Sequence, residues 1–135
     1  MKNQIIEKTV EINAAVKAVW SVFTNPEVTK QMGGYYGTDW KTGSSFGFRK
    51  SDGTALTNGV LLDFKPMQLI KHSLFENDTD TVIAVLTYSF QENDGQTLLT
   101  GQEELITRLD QAEYQDAVEG WDQALNAVKL IAEAL

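Results

Sequence analysis

The sequence predicts an α+β fold in which one curved antiparallel sheet packs against a long C-terminal helix. Three observations predict it. The hydrophobic period changes along the chain, from 3.6 near the start, to two over residues 35 to 106, and back to 3.6 in the last segment. The period-two region is broken by Ser51-Asp52-Gly53 and Asn93-Asp94-Gly95, both hairpin signals. The last segment carries one unbroken apolar stripe, which must find a sheet face to bury it.

Each element follows from local pattern. Residues 3–12 alternate and read as a strand, ending at Asn13, which is expected to cap a first helix. Val16, Val19, Trp20 and Phe23 are the apolar face of that helix. Asn25 caps a second, short helix with Pro26 at its first position, where a missing N–H costs nothing. Gly33-Gly34 ends it. Phe46 and Phe48 alternate in the next clear strand. Val60, Leu62 and Phe64 are expected on one face of another, before Pro66. Leu69 to Phe75 is a strand closed by Asn77-Asp78-Thr79-Asp80. Ala84, Leu86, Tyr88 and Phe90 share one face of the following strand, and Leu98 to Ile106 returns. Tyr114, Val118, Trp121, Leu125, Val128, Ala132 and Leu135 step by four and three, the stripe of the final helix. Asp110, Glu113, Asp116 and Glu119 sit near its start, where the helix dipole favours acids.

Bulk properties remove several function classes. A chain of 135 residues is expected to be a single domain over 1–135. Its net charge of -8 argues against a phosphate-backbone partner and disfavours an anionic membrane surface. With no cysteine there are no disulfides or thiolate metal sites, and one histidine, His72, falls short of the common zinc sets. No metal or cofactor is expected. The N-terminal residues show no signal-peptide pattern, and the longest apolar run, Val82 to Leu86, is far too short to span a bilayer. A cytoplasmic protein is the expectation.

One motif invites a hydrolase reading. Gly43-Ser44-Ser45-Phe46-Gly47 fits Gly-x-Ser-x-Gly, with Ser45 as the nucleophile. Such an elbow needs a helix after the serine, and here a strand pattern follows. The expectation is that Gly43 makes a turn and Ser44-Ser45 start a strand. Catalytic residues are therefore not assigned.

A set of landmarks points to a family. They are Ile12 to Trp20, Asn25-Pro26-Glu27, Asp39-Trp40-Lys41-Thr42-Gly43, Gly59-Val60-Leu61-Leu62 and Gly120-Trp121. In this order they resemble the START-like (SRPBCC, helix-grip) superfamily, in the branch homologous to the C-terminal domain of the activator of the heat-shock-protein-90 ATPase. The chain departs from that branch at Met32-Gly33-Gly34, where a tryptophan pair is common, and at Ala14, where a proline is common. The resemblance implies about seven strands gripping the long helix, two short helices between the first and second strands, and an apolar cavity between sheet and helix. It also implies ligands such as lipids, hormones or polyketides, cyclisation chemistry in some members, and protein partners in others.

The candidate ligand-binding residues are Trp40, Phe48, His72, Tyr88, Trp121, Leu125 and Val128. Trp121, Leu125 and Val128 lie on the helix face towards the sheet, a face that is core in most proteins and lines the cavity in this superfamily. Trp40 sits in a glycine-rich stretch and is read either as a loop anchor or as part of a lid. His72 shares a face with Ile70 and Leu74, so it is either a hydrogen-bonded core histidine or a polar anchor. Tyr88 is a second polar anchor. Glu103 and Glu104 are adjacent and face opposite sides, so they form no carboxylate pair. Arg49 points away from Phe48, with solvation as the default. Gly120 is read as allowing close approach of helix and sheet or leaving space for a ligand. These residues support a binding protein for a small apolar ligand, lipid-like or an aromatic metabolite. The alternatives are a chaperone-accessory or other protein-partner module, and a cyclase or hydrolase acting through His72, Tyr88 or Glu103. An exposed strand edge leaves both a monomer and a homodimer open.

Overall fold

The computed structural model describes residues 3–135; the first two residues of the expected domain lie outside them. The chain runs β1 (Gln4–Ile12), α1 (Val16–Thr24), α2 (Pro26–Thr29), a 3-10 turn (Lys30–Met32), β2 (Gly34–Thr38), β3 (Ser45–Lys50), β4 (Gly59–Lys65), β5 (Leu69–Phe75), β6 (Val82–Asn93), β7 (Gln96–Leu105) and α3 (Gln111–Ala134). The strands form one seven-stranded sheet in the order β1-β7-β6-β5-β4-β3-β2. Every neighbouring pair is antiparallel. This is the α+β, helix-grip arrangement, with the short helices between β1 and β2 and the long helix last.

Register decides which residues meet. Residues directly opposite in an antiparallel pair share a face. One row across the sheet is therefore Ile6, Glu103, Leu86, His72 and Leu61. The next is Lys8, Gly101, Tyr88, Ile70 and Phe64. Both rows lie on the face that α1 and α3 cover, and Ile6, Leu61, Ile70 and His72 on it are all buried. The β6–β7 hairpin is set by Asp94-Gly95, both with positive φ (54° and 80°), the turn whose twist matches paired strands.

Two local expectations need correction. In β4 the register shifts between Leu61 and Asp63. A bulge inserts one residue and reverses the alternation. Leu61 is thus fully buried and Leu62 is 41% exposed, so Val60, Leu62 and Phe64 do not share a face. Asn13 does not cap α1. The helix starts at Val16 behind Ala15, which makes no side-chain cap. Instead the Val16 N–H donates to the Glu92 carboxylate of β6 at 2.9 Å, so a strand supplies the cap. Asn25 behaves as expected, accepting from the Glu27 N–H at 3.1 Å with Pro26 behind it.

Helix α3 begins with a reciprocal pair. Asp110 accepts from the Glu113 N–H at 2.8 Å, and the Asp110 N–H donates back to the Glu113 carboxylate at 3.0 Å. Trp121, Leu125, Val128 and Ala132 are its buried positions, while Leu135 beyond its end is exposed. The helix packs on β1, β7 and α1. It also fastens to the outer edge of β1. The Tyr114 hydroxyl donates to the Ile5 carbonyl at 2.9 Å, and Lys129 Nζ donates to the Glu11 carbonyl at 2.8 Å. Lys8 and Asp122 pair between them at 3.4 Å. Among the described residues, no helix is long and apolar enough to cross a membrane.

The close approach of helix and sheet occurs at Gly101, not at Gly120. A Cβ on Gly101 would lie 2.0 Å from the Trp121 ring, whereas one on Gly120 would meet nothing within 4 Å. Gly120 is exposed, on the far side of the helix. Two predictions follow from this geometry. Gly101→Ala should lower unfolding free energy by about 1–3 kcal/mol, since a buried indole has nowhere to retreat. Gly120→Ala should raise it by roughly 1 kcal/mol, the helix-propensity difference alone. Urea unfolding of both variants against the wild type checks the signs.

Candidate functional site

The covered face of the sheet is paved with rings in direct contact. From α3 inward, Trp121 meets Tyr88 at 5.5 Å between centroids, and Tyr88 meets His72 at 6.3 Å. His72 stacks on Phe46 at 4.3 Å, and Phe46 meets Trp40 at 5.8 Å. Phe23 of α1 covers Tyr88 at 5.0 Å, and Tyr36 of β2 stacks on Phe46 at 5.2 Å. Such pairs each contribute about 0.5–1.5 kcal/mol beyond the area they bury. Five of the seven candidate residues, Trp40, Phe48, His72, Tyr88 and Trp121, belong to this network, Phe48 through an edge contact with Tyr36 at 5.1 Å. Leu125 and Val128 are buried in the same hydrophobic core, on the face of α3 that carries Trp121.

The polar atoms are few and well defined. His72 Nδ1 lies 2.9 Å from the Ser73 carbonyl oxygen. A carbonyl only accepts, so Nδ1 carries the proton and Nε2 keeps its lone pair. Among the described residues no buried side-chain nitrogen or oxygen lacks a hydrogen-bond partner, so Nε2 is not an orphaned buried acceptor. Burial pushes the His72 pKa down to about 4, and the Ser73 carbonyl opposes the shift only in part, so the ring is neutral at physiological pH. The Tyr36 phenol is pushed up to about 12 by burial, with the Tyr88 hydroxyl pulling it part of the way back. Tyr88 is raised well above the usual phenol range by burial, then by Tyr36 and by the charge of Glu103. Both phenols therefore stay protonated donors. Glu103 faces inward, half-buried, and accepts from the Trp121 indole N–H at 2.7 Å. Glu104 faces out and takes the Asn3 amide at 3.0 Å.

Other expected positions resolve by face. Trp40 has positive φ (56°) and packs against Tyr36, Phe46 and Phe64, which makes it a loop anchor. Ser45 is exposed at the start of β3, next to Phe46 and hence on the opposite face from the ring that stacks on His72. Gly43 (φ 93°) makes the turn before it. Arg49 does point away from Phe48, but it is not simply solvated. It donates to the Thr57 carbonyl at 2.7 Å and to the Asn58 side chain at 3.0 Å, over Gly37 and Gly47, and so ties the β3–β4 connection to the outer face. Tyr36 and Phe23 are site residues that pattern reading passes over. Tyr36 lies in Gly34-Tyr35-Tyr36-Gly37, too short to show alternation, and Phe23 reads as ordinary helix core.

A cavity of about 290 Å³ opens at one end of this face, lined by Glu76, Ile83, Ala84, Glu103, Leu105, Thr107 and Leu109. Ala84, Glu103 and Leu105 are inward-facing sheet residues, so the cavity leads to the Glu103 carboxylate and, through it, to Trp121.

The sheet order, the inserted helices and the ring-lined face together define a helix-grip protein of the START/SRPBCC class. Residues 13–133 match the family described as Activator of Hsp90 ATPase homolog 1-like protein, and the chain belongs to that family. The same fold is seen in protein MLL2253 from Mesorhizobium loti (14% identity, TM-score 0.80, covering 97% of this chain and 98% of that one). It is seen in ChR145 from Cytophaga hutchinsonii (22% identity, TM-score 0.79, 99% and 97%). DynU16, from the dynemicin biosynthetic locus, shares it over 96% of this chain and 47% of its own (18% identity, TM-score 0.81). No curated protein matches the sequence.

The buried neutral His72 has a measurable consequence. As pH falls, the unfolded chain, with its histidine near 6.5, takes up the proton before the folded one, which waits until about 4. The stability tied to the neutral ring is complete above the unfolded value, declines between the two, and is gone below the lower one. From pH 7 to pH 5 this amounts to about 2 kcal/mol. Urea unfolding at the two pH values should show this loss in the wild type and a flatter dependence in His72→Phe. Equal slopes would mean that His72 is not buried as a neutral ring.

Proposed function

We propose that the face between sheet and α3 binds a small apolar molecule, lipid-like or aromatic, in contact with Trp40, Phe48, His72, Tyr88, Trp121, Leu125 and Val128. The observation that carries this reading is the pairing of an aromatic surface with a neutral imidazole at His72 and two protonated phenols, Tyr36 and Tyr88, hydrogen-bonded to each other. A few oriented polar atoms in an apolar setting are what a small-molecule site needs for both affinity and orientation. Folds of this family typically hold hydrophobic ligands, which agrees with the reading at that level. The cavity at Glu103 supplies the way in, and a guest lies along the rings by displacing contacts among them.

Native mass spectrometry of the purified protein, followed by denaturing extraction, tests this directly. An apolar molecule should travel with the folded protein and leave on denaturation. Tyr88→Phe keeps the ring and the fold, and should weaken retention of a hydroxylated guest by roughly fivefold to tenfold, the worth of one hydrogen bond. A bare protein mass, with no thermal shift against a panel of lipids and aromatic metabolites, would reject the proposal.

A further inference from the structure

The geometry points to a preference for amines: the cavity at the end of the sheet takes a small molecule with an apolar, ring-sized body and a protonated amino group directed at Glu103. The assignment rests on the ligand-binding reading above and adds the charge of the guest.

The walls supply the first argument. Ile83, Ala84, Leu105 and Leu109 are apolar, the volume is about 290 Å³, and Glu103 and Glu76 are the charged side chains of the lining. That volume is near the small end of ligand sites and suits one ring or two fused rings. Glu103 is held in place, because its Oε1 accepts the Trp121 indole N–H at 2.7 Å. Among the described residues its second oxygen has no protein partner, so it remains open to a donor from the cavity.

Missing counter-charges supply the second. Lys8 is in the sheet row next to Glu103, on the same face, but it pairs with Asp122. Arg108 follows Thr107 in sequence, yet it lines the neighbouring depression with Gln4 and Tyr114. Arg49 is on the opposite face, committed to Thr57 and Asn58. His72 is neutral. A carboxylate guest would therefore be desolvated beside Glu103 with no cation to meet it, which is strongly unfavourable. An ammonium group gains a charge-assisted hydrogen bond in the same place. The Glu103 charge already acts inward, as one of the causes that raise Tyr88.

Three probes with one body separate the charge from the cavity: naphthylmethylamine, naphthylmethanol and naphthoate, titrated calorimetrically at near-physiological salt, where diffuse attraction to the acidic surface is screened. The amine should bind about tenfold more tightly than the alcohol, the order expected for one charge-assisted hydrogen bond, with naphthoate weakest. The Trp121 indole N–H resonance should move on amine binding. Glu103→Gln preserves an acceptor for Trp121 and should remove the difference in affinity between the amine and the alcohol. If naphthoate matches the amine, or the amine preference survives in Glu103→Gln, the charge assignment is wrong while alcohol binding still upholds the ligand site. If none of the three binds, the ligand reading itself fails and the amine preference falls with it.

Discussion

The contact between Trp121 and Gly101 governs how α3 meets the sheet. The Cζ3 edge of the indole comes so close to the bare glycine backbone that a single added carbon would sit inside the ring's contact distance. The same indole reaches past the glycine to donate to Glu103, two residues along the same strand face. Apolar packing and a directional hydrogen bond thus act on one side chain from one strand. Together they set the depth and the rotation of the helix, and the burial of Leu125, Val128 and Ala132 follows from the rotation.

Much of what lies beneath the helix is aromatic. Rings outnumber aliphatic side chains along the path from Trp121 to Trp40, and the path contains a neutral imidazole. Rings bury much area with few rotatable bonds, so the surface they form is stiff and flat. The imidazole and phenols give that surface direction without giving it charge. The carboxylate next to the rings is at the end, on Glu103, where solvent and the cavity meet. Polarity is therefore graded along the face, from an acidic mouth to an aromatic interior.

Much of this was legible in the sequence, and the failures have physical causes. Strand β5 was readable to the residue because Ile70, His72 and Leu74 alternate in the letters, which put His72 on their face but left open which side of the sheet that face is. In β4 the alternation of Val60, Leu62 and Phe64 was real in the letters but broken in space by a bulge, which leaves no local signature. Asn13 is a good capping residue in the wrong place. The α1 cap comes from Glu92, about eighty residues away in sequence, which a window-based reading has no means to see. The two glycines make the same point. Gly120 is next to Trp121 in sequence but its Cβ position is open, whereas Gly101 lies across from the ring. Family landmarks carried the overall topology, while the charge and tautomer of the site groups required the packed structure.

The fastening of α3 to β1 has a geometric consequence. Tyr114, Asp122 and Lys129 advance along the helix as Ile5, Lys8 and Glu11 advance along the strand. A helix rises about 1.5 Å per residue and a strand about 3.4 Å, so fifteen helical residues span roughly 22 Å and six strand residues roughly 20 Å. The two scales agree over the whole length, like a coarse and a fine ruler laid side by side. Sliding the helix by one turn would put every mark out of step at once, whereas pivoting about the line of β1 disturbs them little. Position along the strand is thus fixed more firmly than rotation about it.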